Sequence, residues 1–360
     1  MSGVTARIEG RAGCITLNRP QALNALTLEM VHAIDAALLA WAGDPAVCLV
    51  VLDGAGGRAL CAGGDIRALY DAAKSGELSF AEVFFRDEYR LNAYIVRYPK
   101  PYVALMDGIV MGGGIGLSAH GRHRVVTERA RLAMPETGIG FFPDVGGTWL
   151  LGRAPGQFGV YAALTAGQMG ATDAIECGLA DVFVPSKSLP LLRASLTGCA
   201  STEEVRACLD RHAQTPLAGR YAKAAAWIGA CFAADTMEEI VSALSAHADP
   251  AARQAAAEIT PRSPTSLKIT LRALREAARL GCLEPCLERE FGLALACMQH
   301  PDFLEGVRAA IVDKDRSPRW KPARLDDVTA DMVGAAFIPP PGETLGLENW
   351  LASRGISVWQ

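Results

Sequence analysis

The chain has 360 residues, 50% of them hydrophobic and 21% charged, a balance that suits a globular protein of one large domain or two ordinary ones. Its 35 Lys and Arg against 39 Asp and Glu leave a formal charge of −4 with no Lys/Arg-rich run, which argues against nucleic acid as the main partner. No stretch of about 18 apolar residues suggests a membrane span.

Residues 4–18, "VTARIEGRAGCITLN", read as two short strands around a glycine-containing turn. Residues 26–43 carry apolar side chains at helical spacing and stop at Gly43. "VCLVVLDG" (47–54) and "PYVALMDG" (101–108) read as buried strands. Between them, Ser79 and Glu82 have the spacing of a capping box that opens a helix running to about residue 97. Residues 123–134 read as strand, turn, strand. This alternation predicts an α/β unit over 1–190. Two further capping boxes, Ser201 with Glu204 and Thr236 with Glu239, open a helical region over 191–330, which includes an amphipathic helix at 263–281 stopped by Gly281. The last segment, 331–360, holds Pro339, Pro340 and Pro341 and reads as a turn or linker.

The ten cysteines are scattered, without a C-x-x-C pair or zinc-site spacing, and read as reduced thiols. "MSGVTARIEGRAG" lacks the apolar run of a signal peptide. Together these predict a cytoplasmic protein with no metal.

Two glycine-rich stretches, "CAGGDI" (61–66) and "MGGGIGLSAHG" (111–121), follow the buried strands. Neither is a dinucleotide or P-loop fingerprint. Two such turns allow two backbone N–H groups to converge on one oxygen, as in an oxyanion hole. Downstream, "LAMPETGIGFFPDVGGTW" (132–149) places Glu136 and Asp144 in an apolar, glycine-rich loop. An unpaired charge is expensive in such surroundings, so both acids are candidates for chemistry. Their plainer readings are a surface acid for Glu136 and a helix N-cap for Asp144.

"NRPQALNAL" (18–26), the two glycine stretches and "AMPETGIGFFPDVGGTWLL", in this order, resemble the crotonase (enoyl-CoA hydratase/isomerase) superfamily. "FFRDEYRLN" (84–92), "SPTSLKITLR" (263–272) and "DFLEGVRAAIVDKDRSPRWKPA" (302–323) resemble its 3-hydroxyisobutyryl-CoA hydrolase branch. The resemblance covers about residues 5–330. It implies a spiral of ββα repeats with C-terminal helices covering an acyl pocket, and an acyl-CoA substrate with no separate cofactor. Gly64 and Gly113 are the implied oxyanion-hole donors, and Glu136 and Asp144 the implied catalytic acids. Glu88, in the charged run "RDEYR", would reach the substrate hydroxyl, although its plainer reading is a solvated helix face. Ala62 is implied at the adenine end of CoA and Phe141 on the pocket wall. Arg19, Arg67 and Lys314 are candidates for the CoA phosphates. Relatives of this kind often form trimers or pairs of trimers, which leaves a homo-oligomer open here.

The implied activity is hydrolysis of a short 3-hydroxyacyl-CoA, as in valine breakdown. Hydratases of the superfamily carry a further Glu three residues after the second oxyanion glycine, where this chain has Gly116. The alternatives are an enoyl-CoA hydratase or Δ3,Δ2-enoyl-CoA isomerase, a decarboxylase of a malonyl-type CoA, and a non-catalytic acyl-CoA binder.

Overall fold

Short strands dominate the first half of the chain, and they sort into two sheets. The structure, a computed structural model, describes residues 3–356. β1 (Val4–Glu9) and β2 (Ala12–Leu17) form an antiparallel hairpin turned at Gly10, whose φ of +57° favours glycine. α1 (Leu28–Ala42) follows, its N-terminus capped by the Thr27 side chain.

From there one unit repeats. β3 (Leu49–Gly54) is followed by β4 (Ala59–Cys61) and α2 (Ile66–Ser75). α3 (Leu78–Val96) crosses over to β5 (Tyr102–Met106), β6 (Ile109–Met111) and α4 (Gly113–Ser118). β7 (His123–Val126) and β8 (Arg131–Ala133) lead into a 3₁₀ turn at Glu136–Ile139. The first strand of each pair joins a six-stranded sheet of order β1-β2-β3-β5-β7-β9, closed by β9 (Val182–Phe183). The second joins a parallel three-stranded sheet of order β4-β6-β8. β3 and β5 lie inside the larger sheet as parallel neighbours, which is why they read as continuous apolar runs.

Several expectations need correction. The glycine stretches do not follow the strands at 47–53 and 101–107 directly. The three-residue strands β4 and β6 intervene, too short to show a periodicity. The Ser79/Glu82 box does not form: α3 starts at Leu78, and Glu82 pairs with Arg86 at 2.6 Å along the helix. Thr236 and Glu239 do make a reciprocal box, whereas Glu204 turns to the Ala200 N–H instead of closing on Ser201. The helix predicted to run to Gly281 spans Pro264–Ala277.

The proline turn at 339–341 leads to a docked helix, not to a free linker. Leu345, Leu347 and Leu351 are buried, and Leu347–Ala352 is helical. Arg90 on α3 donates to the Leu345 carbonyl, while Glu288, on the helix Glu284–Gln299, accepts from the Leu345 and Leu347 N–H groups. The tail thus braces the outer side of the two helices. The last four residues of the predicted 331–360 segment lie outside the described residues. Among the described residues no helix is long and apolar enough to cross a membrane.

Candidate active site

All three strands of the small sheet deliver loops to one place. β4 runs into Ala62–Gly64, β6 into Gly112 and Gly113, and β8 into Pro135 and Glu136, so the site forms at the carboxyl ends of parallel strands. The loops touch. A Cβ on Gly112 would lie 3.5 Å from Gly63 Cα, and one on Gly113 would lie 3.4 Å from Gly64 N. Gly63 and Gly112 have φ of +109° and +47°, conformations that favour glycine. Among the described residues, the N–H groups of Gly64 and Gly113 donate to no backbone acceptor. Two free donors at adjoining loops are what an oxyanion hole requires.

These loops wall one side of a cavity of about 170 Å³. Phe84, Phe85, Phe141 and Phe303 line much of the rest, with Ala62 among the lining residues. Phe141 stacks on Phe85 and Phe142 with centroids 5.7 and 4.9 Å apart. The covering helices come from the C-terminal region. The helix Pro301–Val307 packs backbone to backbone on the Glu136 loop: a Cβ on Gly140 would lie 2.2 Å from the Asp302 carbonyl, and one on Gly306 2.4 Å from Ile139. Wider surface clefts exist, one of about 490 Å³ between Gln168 and Arg220. Its one buried acid, Asp173, is already satisfied by the N–H groups of Arg220 and Tyr221. The smaller cavity is where unsatisfied groups converge.

Three carboxyls face that cavity with no Lys or Arg among its lining residues: Glu88, Glu136 and Asp144, at 2%, 7% and 7% exposure. Glu88 Oε1 and Glu136 Oε2 have no hydrogen-bond partner. Burial pushes the Glu88 and Glu136 carboxyls well above the usual range, and repulsion from Asp144 adds to it. Burial lifts Asp144 to about 7, against the opposing effect of a 2.7 Å hydrogen bond donated by the Tyr89 hydroxyl. Glu88 is therefore no solvated helix face. Its neighbour in sequence, Arg86, points the other way, to Glu82 and Glu343.

Asp144 is not a side-chain N-cap. The helix that follows it, α5 (Gly147–Gly152), is capped by Glu290, which accepts from the Gly146 and Thr148 N–H groups at 2.6 and 3.1 Å. Nothing in the sequence marked Glu290 or Tyr89, because both sit in ordinary charged helices where no periodicity tells a buried acid from a solvated one. Asp65 fixes its own loop, accepting from the Ala68 N–H. Arg19 is held by Asp65 and by the Ala25 carbonyl, and Arg67 pairs with Asp71 on the surface. Lys314 is exposed, three residues past the cavity-lining Ile311. None of these three cations lines the cavity.

The burial of Asp144 predicts a stability signature. Its carboxyl titrates near 3.8 ordinarily and near 7 in the fold, so between these values the native state binds more protons than the unfolded chain. Stability contributed at this position therefore falls as pH rises through that window. Asp144→Asn removes the dependence. It is expected to stabilise the protein more at pH 8 than at pH 5, by a difference on the order of 2 kcal/mol. Thermal unfolding of both proteins at the two pH values checks this, and an equal shift at both contradicts it.

A spiral of ββα units whose small sheet ends in two free N–H donors and a buried carboxylate defines a class of acyl-CoA enzymes, and residues 12–337 match the enoyl-CoA hydratase/isomerase family: the chain belongs to it. Within it, the chain is 45% identical over 335 residues to the 3-hydroxyisobutyryl-CoA hydrolase, mitochondrial, of Rattus norvegicus, covering 91% of this chain and 86% of that protein. The Homo sapiens protein of the same name is 44% identical over 340 residues, with the same coverage. Among solved structures, one called a carnitinyl-CoA dehydratase from Mycobacterium thermoresistibile superposes with a TM-score of 0.91 at 47% identity, covering 95% of this chain and 98% of that one. One called an enoyl-CoA hydratase from Rhodobacter sphaeroides gives 0.90 at 44% identity, covering 96% and 99%.

These relatives correct one expectation. Scattered cysteines and the lack of an apolar run in residues 1–13 point to a cytoplasmic location, whereas the curated relatives are mitochondrial. Neither signal separates the two compartments. Mitochondrial targeting segments are amphipathic and Arg-rich, not apolar, and buried thiols stay reduced in either place.

Proposed function

We propose that this protein hydrolyses the thioester of a short 3-hydroxyacyl-CoA, with 3-hydroxyisobutyryl-CoA as the foremost substrate, a step of valine breakdown. The observation that carries this reading is the meeting of two unpartnered backbone donors and two buried carboxylates, Glu136 and Asp144, around one small apolar cavity.

The thioester oxygen lies between the Gly64 and Gly113 N–H groups, which stabilise the negative charge it acquires as the carbonyl carbon is attacked. Glu136 is the attacking carboxylate, forming an anhydride that water opens, or the base that activates water. The CoA thiolate leaves. Asp144, titrating near neutrality and held by Tyr89, can exchange a proton with water or the departing sulfur at physiological pH. Glu88 Oε1, without a partner and next to Gly113, meets the substrate's 3-hydroxyl. The cavity has room for a short acyl chain, and its phenylalanines exclude bulk water. In this route the two N–H groups supply the charge stabilisation and Glu136 the nucleophile or base, so no step is assigned to a metal or separate cofactor.

Hydration or dehydration is the second reading, prompted by the names of the two closely similar structures. The packing at Gly116 speaks against it. A Cβ there would lie 2.7 Å from Val145 Cβ and 2.9 Å from Asn92 Nδ2, so the side chain of a second acid has no room. Gly116→Glu is expected to destabilise the fold by about 2–3 kcal/mol through overpacking and to hydrate no crotonyl-CoA. A stable variant that hydrated crotonyl-CoA would reverse this argument.

The deciding assay follows thiol release from 3-hydroxyisobutyryl-CoA, with 3-hydroxypropionyl-CoA and crotonyl-CoA alongside. Rapid release from the hydroxyacyl thioesters, with crotonyl-CoA untouched, supports the hydrolase. Hydration of crotonyl-CoA without thiol release would refute it.

A further inference from the structure

Asp144 sits at the entrance to a turn that the backbone does not favour. Val145 has φ +53° and is 1% exposed. A β-branched residue in the left-handed region is a conformational outlier, held only where the surroundings impose it. Gly146 follows at φ +77°. Two buried polar side chains grip this pair from separate elements. His120, just past the end of α4, makes a 2.8 Å hydrogen bond from Nε2 to the Val145 carbonyl. Burial lowers its pKa to about 4, so the ring is neutral, and the carbonyl partner places its one proton on Nε2. Glu290, from the helix Glu284–Gln299, takes the Gly146 N–H at 2.6 Å and both the N–H and the hydroxyl of Thr148. There is no slack in the arrangement: a Cβ on Gly146 would lie 2.5 Å from His120 Nε2, and Val145 fills the space left open by Gly116.

We infer that His120 and Glu290 are positioning residues that hold the strained Val145–Gly146 turn, and so keep the Asp144 carboxyl aimed into the cavity beside Glu136. The inference rests on the proposed role of Asp144. It explains why a neutral histidine and a buried acid that do not themselves line the cavity stand on either side of this turn. It also gives Gly116 a second purpose, since only a residue without a side chain leaves Val145 room to adopt the turn.

The test measures thiol release from 3-hydroxyisobutyryl-CoA by the full chain and its variants. His120→Ala is expected to lower kcat by about 100-fold, the effect of a misplacement near 1 Å, with KM changed less than about 3-fold. His120→Gln, whose amide still donates to the Val145 carbonyl, should recover most of kcat. In a Val145→Gly background the turn is unstrained, because glycine adopts positive φ freely, so the same His120→Ala change should cost less than about 5-fold. An equal loss in both backgrounds would overturn the inference. So would a normal kcat in His120→Ala and Glu290→Ala while Asp144→Asn is inactive. If His120→Ala does not fold, the double variant decides: recovered folding and turnover support the strain-holding role, and a double variant as unfolded as the single one refutes it. Full activity of Asp144→Asn would instead remove the underlying reading of Asp144, a result separate from any of these.

Discussion

Replacing Glu136 with Gln is expected to abolish most thiol release, lowering kcat by about 10²–10⁴-fold, the range for loss of a positioned base. The change is nearly isosteric and should leave the fold intact. Its backbone anchors do not depend on the side chain, since the Phe141 N–H and the Gly140 N–H both bond the Glu136 carbonyl. The carboxyl is buried, with Oε2 unpartnered, and is pushed well above the usual range by burial and then by Asp144. Burying a charge there opposes folding, so the Gln variant should be at least as stable as the wild type near pH 8. Activity lost while stability is kept or gained is the signature of a group retained for chemistry. A variant with wild-type kcat would remove Glu136 from the reaction and favour a site built on Asp144 alone.

Gly113→Ala should be nearly as damaging, for a different reason. Its φ lies outside the left-handed region, so alanine meets no backbone penalty, and the obstacle is contact. The new methyl would lie 2.5 Å from Glu88 Oε1 and 3.4 Å from Gly64 N, inside the gap between the two free donors. Moving one donor out of line is expected to cost about 10²–10³ in kcat, with about 1–3 kcal/mol of lost stability from overpacking. Gly64→Ala makes an internal comparison. There the added methyl meets only the Phe84 ring, at 3.3 Å, which can shift, so the loss should be smaller. Thiol release and thermal unfolding on the two variants check the ranking. Full activity in Gly113→Ala would show that the N–H pair does not hold the reacting oxygen.

Part of this was open to sequence reasoning, and the limit is physical. The two glycine-rich loops were legible because two such turns, each near a buried strand, can bring backbone N–H groups together, while the family resemblance singled out Gly64 and Gly113 within them. Glu136 and Asp144 were legible because acids in a greasy loop need a reason. Glu88 stood out only through family resemblance, since its local sequence is that of a solvated helix. Glu290, Tyr89 and His120 were not legible as neighbours of Asp144 and of the turn that follows it. Each is an unremarkable residue in its own segment, and its role comes from a partner elsewhere in the chain: Gly146 and Thr148, Asp144, and Val145. The three-residue strands β4 and β6 were missed for a related reason. They are stabilised by pairing with one another and with β8, not by any local pattern.

The sequence by itself determined the α/β character, the two glycine-rich loops and the two acids of the Glu136 loop, because each rests on composition or spacing within one short stretch, and it determined the family through several such motifs in a fixed order along the chain. Tertiary structure alone decided that β4, β6 and β8 end side by side, and that Glu88 turns inward while Arg86 turns out. It also decided that the proline-rich tail docks on α3, and that a strained valine is held in place next to Asp144. Those facts depend on pairing and burial between segments far apart in the chain, which the local pattern of side chains does not encode.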